Sequence, residues 1–255
     1  MSEEKRRRKK KIIRFKRKNN RVYKIGGFVL LVVVTLFVLM LTPLFNAKWI
    51  DIQGAQRVAF SEIENTISYK QGINIFRLNL SKAEKKLLDI PYIETASVHR
   101  KLPDGIRVKI TERTPVAYIE YGGTYALCDK TGRLLEQIKD KPLNLAQLTG
   151  APTEGLKIGQ SIGDKSEAAL NAFTVLYDKL IEYQIYERVT GIDVKNTDNL
   201  SFMFDGNKKV VIGDGYRLDY KMMMLQATIE DLAPSEEGTI TLTVEGKAIF
   251  TPDNE

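Results

Sequence analysis

The sequence predicts an α+β protein in three parts: a single transmembrane helix, a small β-α-β-α-β-β domain, and a mostly antiparallel β domain with flanking helices. Three observations lead there. Ile25 to Ala47 runs 23 residues without a charge, and ~20 apolar residues suffice for a helix to cross a bilayer. From Ile50 to Glu112 the hydrophobic period switches between helical and alternating. Beyond Arg113, short alternating runs divided by glycine-rich turns recur, with two helical stripes among them.

The apolar run is dense in Leu, Val and Phe up to Leu41. Thr42-Pro43 closes it, because proline lacks the N–H to continue a helix cheaply. Lys48 and Trp49 follow where a lysine and an amphipathic ring anchor at a membrane interface. A cleaved signal peptide is the competing reading; its core would be only ~7–15 residues, with small residues before the cut. Phe45-Asn46-Ala47 puts a bulky ring there, so an uncleaved anchor is expected. Thirteen Lys/Arg lie between Lys5 and Lys24, and the basic flank stays in the cytoplasm. Everything after Lys48 is then expected outside.

The formal charge of +7 invites a nucleic-acid reading that fails on distribution. Residues 1–24 carry a surplus of eleven positive charges, with only Glu3 and Glu4 opposing, whereas the remaining 26 Lys/Arg and 30 Asp/Glu leave the rest at −4. The basic tail suits topology and anionic lipid, and no nucleic acid is expected. A lone cysteine, Cys128, cannot form an internal disulfide.

In chain order, Ile50 to Gln53 alternates and stops at Gly54. Phe60, Ile63 and Ile67 recur at helical spacing, and Asn74-Ile75-Phe76 is a brief strand. Ser81 and Glu84 form a capping box opening a helix on Ala83 and Leu87 that Pro91 ends. Strands Ile93–Arg100 and Ile106–Glu112 flank the turn Pro103-Asp104-Gly105. Val116–Tyr121, Tyr125–Cys128 and Arg133–Gln137 read as strands, and 143–163 as loop. Asp164 opens a helix with Leu170, Phe173, Tyr177, Leu180 and Ile181 on its apolar face. Strands Val189–Val194, Leu200–Phe204 and Val210–Ile212 come next. Leu218, Met222, Leu225, Ile229 and Leu232 stripe a helix. Ile240, Leu242 and Val244 then alternate with threonines, and Lys247 to Phe250 forms the last strand.

Residues for chemistry are sparse. His99, the only histidine, lies on the polar face of a strand, which leaves a serine or cysteine triad without its usual base. Cys128 reads as a small buried hydrophobe. Lys130-Thr131-Gly132 matches one element of penicillin-binding proteins, but the Ser-x-x-Lys partner occurs only at Ser2–Lys5, so the match is a turn. Gly213-Asp214-Gly215 is likewise a turn, and nothing selects Asp129 with Glu136 as an acid–base pair. No catalytic, cofactor-binding or metal residues are expected. A binding surface remains: the segment Ile240 to Phe250, by position a sheet edge open to strand addition.

Val98-His99-Arg100-Lys101-Leu102-Pro103-Asp104-Gly105-Ile106-Arg107-Val108, leading into Glu112-Arg113-Thr114-Pro115-Val116-Ala117, resembles the junction between the POTRA and β domains of the FtsQ/DivIB cell-division family. Asn74-Ile75-Phe76, Asp89-Ile90-Pro91-Tyr92-Ile93 and Tyr125 with Asp129-Lys130-Thr131-Gly132 are similar to further landmarks. The resemblance implies a cytoplasmic tail (1–24), a span (25–45), a POTRA domain (48–116), a β domain (117–251) and a short tail (252–255). It implies a non-enzymatic bitopic scaffold at the division septum, bridging FtsL-type and FtsB/DivIC-type partners and helping to control septal peptidoglycan synthesis. The FtsB-type partner's strand is implied to add at Lys247, Ala248, Ile249 and Phe250, with Ile240, Leu242 and Val244 on the strand beside it. Proline at Ile249 is expected to remove an edge donor. A membrane-anchored envelope enzyme and a POTRA-containing translocation or assembly factor remain the alternatives.

Overall fold

A computed structural model describes residues 20–243, 245 and 247–253. Helix α1 (Asn20–Met40) is 21 residues long, about 30 Å at 1.5 Å per residue, which matches the hydrocarbon thickness of a bilayer. From Tyr23 to Met40 none of it is buried by the other described residues. From Ile25 onward the helix is apolar on every side, and it is long and apolar enough to cross a membrane. The Thr35 hydroxyl is satisfied within it by the Leu31 carbonyl at 2.9 Å. The helix stops five residues earlier than residue 45, because the backbone tightens at Leu41 and Thr42 and Pro43–Phe45 form a separate 3-10 turn.

The first extramembrane module comprises β1 (Trp49–Gln53), α2 (Phe60–Thr66), α3 (Leu80–Leu88), β2 (Ile93–Lys101) and β3 (Gly105–Glu112). Its sheet has the order β1-β3-β2, with β1 parallel and β2 antiparallel to β3. Both helices bury Ile63, Ala83 and Leu87 against Val98, Ile106 and Val108. Gly54 ends β1 at φ 90°, where a Cβ would stand 2.0 Å from the Ile110 carbonyl oxygen; only glycine fits. Glu112 holds the start of α2. Its carboxylate accepts the backbone N–H groups of Gln56, Arg57 and Val58 at 2.9–3.1 Å. Partial burial pushes its pKa up, but these bonds outweigh that and hold it below the usual range.

Two local expectations are corrected. The Asn74–Phe76 segment is a 3-10 turn, Ile75–Arg77, and forms no ladder: Asn74 makes an isolated bridge to Asn46, and the Ile75 carbonyl accepts the Arg100 side chain of β2 at 2.8 Å. The Asn74 side chain itself accepts the Phe76 N–H at 2.9 Å, which curls the chain. Nor is Ser81 the cap of α3. Asn79 accepts the Lys82 N–H at 3.0 Å, and Glu84 instead accepts the Val98 N–H at 2.8 Å, tying helix to sheet. The box spacing was satisfied two residues too late.

The second module is one nine-stranded mixed sheet in the order β12-β11-β10-β9-β8-β7-β4-β5-β6. Its strands are β4 (Ala117–Tyr121), β5 (Thr124–Cys128), β6 (Leu134–Ile138), β7 (Ala146–Thr149), β8 (Val189–Asp193), β9 (Leu200–Phe204), β10 (Lys208–Gly213), β11 (Gly238–Leu242) and β12 (Ala248–Pro252). Helices α4 (Glu167–Glu182) and α5 (Leu218–Asp231) cross over between the parallel pairs β7–β8 and β10–β11, as parallel strands demand. They pack on one face, where Phe173, Leu176, Leu180, Met222 and Leu225 meet Ile119, Leu148, Phe202, Val210 and Ile240. Each fully buried side chain of this kind contributes ~1.5–3 kcal/mol.

Here too the chain departs from its sequence reading. The 143–163 loop contains β7, a strand in the middle of the sheet. Asp164 caps only a 3-10 turn with Ser161, whereas α4 is capped by Ser166, which accepts the Ala169 N–H at 3.1 Å. Leu176 takes the core position expected of Ile181, which is 48% exposed. Lys221, beside Met222 of the helical stripe, is buried, and its ammonium donates to the carbonyls of Ile212 and Asp214 and to the Asp214 carboxylate at 2.8–3.1 Å. It pins the Gly213–Gly215 turn.

Candidate partner-binding edge

Among the described residues, strand β12 pairs with β11 on one side only. Its register sets Gly238 opposite Pro252, Ile240 opposite Phe250 and Leu242 opposite Ala248. Thr243 donates its N–H to the Lys247 carbonyl, and Asp253 donates to Glu237, so the odd-numbered pairs exchange the hydrogen bonds. In an antiparallel ladder bonded and non-bonded pairs alternate. The N–H and C=O of Ala248 and Phe250 therefore point away from β11, into the free edge. Pro252, on the same parity, has no N–H to leave unpaired.

The proposed residues fall into distinct groups. Ile240 and Leu242 are 0% and 4% exposed, lie one strand in, and fill the core beneath α5. Ala248 and Phe250 are half-buried on that same face, with the Phe250 ring lying over Gly238 where a Cβ would stand 2.8 Å away. Ile249 points to the opposite, open face and is 49% exposed; Lys247 is exposed at the strand's start. Val244 lies outside the described residues. The expectation for Ile249→Pro is corrected by the ladder parity, since the Ile249 N–H faces β11. The edge donors belong to Ala248 and Phe250, a distinction that alternation of residue types does not reveal.

The open face of the sheet forms a second surface. Gln147, Thr149, Asp193, Ser201, Met203 and Lys209 line a shallow concavity of about 370 Å³ there.

The groups considered for chemistry are otherwise engaged. Cys128 is fully buried, and burial, with the neighbouring Asp129 carboxylate, pushes its thiol up to about 12, away from nucleophilic thiolate. His99 is exposed on β2. Asp129 is 3% exposed and receives the Arg113 guanidinium at 2.7 Å on one oxygen. Its other oxygen takes the Thr131 and Arg133 N–H groups and the Thr131 hydroxyl. Lys130-Thr131-Gly132 is thus a turn built on Asp129. Glu136 accepts the Tyr92 hydroxyl at 2.8 Å. Both carboxylates belong to the joint between the two modules. Among the described residues, no three His, Cys, Asp or Glu gather as a metal-ligand set.

The sequence profile of the FtsQ-type POTRA domain matches residues 45–113, and that of the FtsQ/DivIB cell-division protein C-terminal region matches 117–245. The chain belongs to the FtsQ/DivIB family. Among curated relatives, Cell division protein DivIB of Clostridium acetobutylicum is 29% identical over 214 residues, 82% of this chain and 84% of the relative. DivIB of Clostridium botulinum is 27% identical over 245 residues, 93% and 94% of the two chains. A solved extracytoplasmic domain of DivIB from Geobacillus stearothermophilus aligns with a TM-score of 0.30 at 17% identity, over 48% of this chain and 99% of that one. Membership in FtsQ/DivIB supports a role in the division complex, and with α1 it fits a single-pass membrane protein.

Proposed function

We propose that this FtsQ/DivIB chain is a bitopic, non-enzymatic scaffold of the division complex at the septum. The N-terminus lies in the cytoplasm, as the thirteen basic residues before the span direct, and the POTRA and β modules lie outside. An FtsB/DivIC-type partner adds a strand along β12, an FtsL-type partner is bridged beside it, and the assembly helps control septal peptidoglycan synthesis. One observation carries this reading: β12 is an edge whose outward N–H and C=O groups, at Ala248 and Phe250, have no partner among the described residues. In strand addition those main-chain groups supply affinity, and alternate side chains such as Ile249 supply selectivity.

The test uses the full chain in detergent micelles and the exported segment of an FtsB/DivIC-type protein. Ala248→Pro removes an outward donor without touching the β11 ladder, and is expected to weaken binding about tenfold, the loss of ~1.4 kcal/mol. Truncation after Glu245 should abolish it. Binding unchanged by both would refute the β12 site and move the partner to the open face lined by Gln147 and Lys209.

A further inference from the structure

The segment joining the span to the first module is not a free tether. The last carbonyl of α1, on Met40, accepts the Asn74 side-chain amide at 2.9 Å. Phe45 stacks edge-on against Phe76 with ring centroids 5.2 Å apart. Ala47 donates to the Ile73 carbonyl and accepts from Gly72, each at 2.8 Å, and the Lys48 N–H donates to the Asp104 carbonyl at 2.8 Å. Asn74 and Ala47 are buried in this seam. The module is therefore bolted to the end of the span.

The bolt decides which end of the module meets the membrane. β1 starts at Trp49, opposite Gly105, the first residue of β3. The β2–β3 turn, Leu102 to Asp104, thus lies at the same end as the emerging span. Trp49 packs its indole onto Gly105, where a Cβ would stand 2.1 Å from the ring, and its N–H reaches Asp104 at 3.3 Å. Leu44, Trp49 and Leu102 are 56%, 41% and 67% exposed. Lys48 and Lys101, both exposed, flank them. Singly exposed hydrophobics are ordinary, but these three sit at one end, continuous with a bare apolar helix. Aromatic rings and lysines beside apolar residues are the composition of a bilayer interface.

We propose that this end of the POTRA module, Leu44, Trp49 and the Leu102-Pro103 turn, is seated in the interfacial layer of the membrane that α1 crosses. The module then stands on the bilayer in one orientation, and the β domain is held at a set angle and height above it. The inference rests on α1 as a membrane span and not on strand addition at β12, so either can fail alone.

Trp49 is the only tryptophan, and lies so near the span that its own contact with lipid would decide nothing. Leu102 lies more than fifty residues further along the chain. The experiment moves the reporter there: full-length Trp49→Phe/Leu102→Trp in vesicles of phosphatidylcholine and phosphatidylglycerol, with and without phosphatidylcholine brominated near the top of its acyl chains. Interfacial segments reach ~5–10 Å into the headgroup–acyl boundary, so the reporter is expected to lose about half its emission to the brominated lipid. Trp49→Phe/Leu143→Trp, with its reporter at a fully exposed site in the β domain, should lose none. Equal, negligible quenching of both would overturn the proposal. Should loss of Trp49 disturb the fold, Leu102→Cys carrying an environment-sensitive dye serves with Trp49 intact, the buried Cys128 staying unlabelled. Blue-shifted, lipid-quenched emission supports the seat; water-like, unquenched emission refutes it.

Discussion

β6 and β12 are the two outer strands of one sheet, and the chain treats them differently. Along β6, Leu134 is bonded outward to Gln160 and Gly159 at 2.8 and 2.7 Å, and Arg133 bridges Ser161. The POTRA module covers the same edge, through Tyr92 on Glu136 and through Arg133, which donates to the Leu88 carbonyl at 3.3 Å. Nothing comparable lies along β12 among the described residues. There the chain leaves two outward donors at a spacing of roughly 7 Å, bounded by the charge of Lys247 and by Pro252, which cannot donate. Charges, proline and shortness are how proteins keep an edge from indiscriminate pairing. One edge is sealed by the protein itself, and the other is a short guarded window.

The contrast can be broken at the sealed edge. Arg113 and Asp129 join the modules with side chains 15% and 5% exposed, and removing one member of such a pair strands the other charge. Arg113→Ala is expected to cost ~3–5 kcal/mol in chemical denaturation, with faster hydrogen exchange at the amides of Leu134 to Ile138. An unchanged midpoint would mean the joint does not hold the POTRA module on β6.

The ladder parity of β12 can be tested next. Ile249→Pro removes a bond to β11 and leaves its acceptor wanting, a loss of ~2 kcal/mol. Ala248→Pro, facing outward, should stay within ~0.5 kcal/mol of the native protein while still losing partner binding. Equal destabilisation by the two would show that the parity is wrong.

The smallest effect belongs to Tyr92. Burial and then the bond to Glu136 push its phenol up to about 12, above the ordinary 10.0. The neutral phenol is favoured in the folded state, so its contribution is whole below pH ~10 and is lost as pH rises through ~12. Tyr92→Phe should cost ~1 kcal/mol near neutrality, discounted for the solvent that reaches this half-buried ring. Between pH ~8 and ~11 the variant's urea midpoint should fall less than the native protein's. Parallel curves would remove Tyr92 from the seal.

What was legible in the sequence was what is decided locally. The span follows from uninterrupted apolar composition, and most strands and both long helices of the β domain from hydrophobic period. The likeness to FtsQ/DivIB came from the Glu112-Arg113-Thr114-Pro115 junction and its neighbours. The segments misread were those that distant partners decide. Asn74 to Phe76 has strand-like residues but curls because the Asn74 side chain bonds Phe76 on one oxygen and Met40 through its amide. Ala146 to Thr149 has little strand propensity, yet β4 and β8 on either side make it a strand. Nothing in the stripe of α5 marks Lys221 for burial; β10 ends beside it and offers the carbonyl that holds its ammonium.

The candidate site divides along the same line. Alternation from Ile240 onward marks strands and places the last one near the chain's end, which was enough to name an edge. Which strand is outermost, and which of Ala248, Ile249 and Phe250 turns its N–H to solvent, depends on pairing across the sheet. Side-chain pattern reports the face of a strand; only a neighbour strand fixes the direction of its hydrogen bonds.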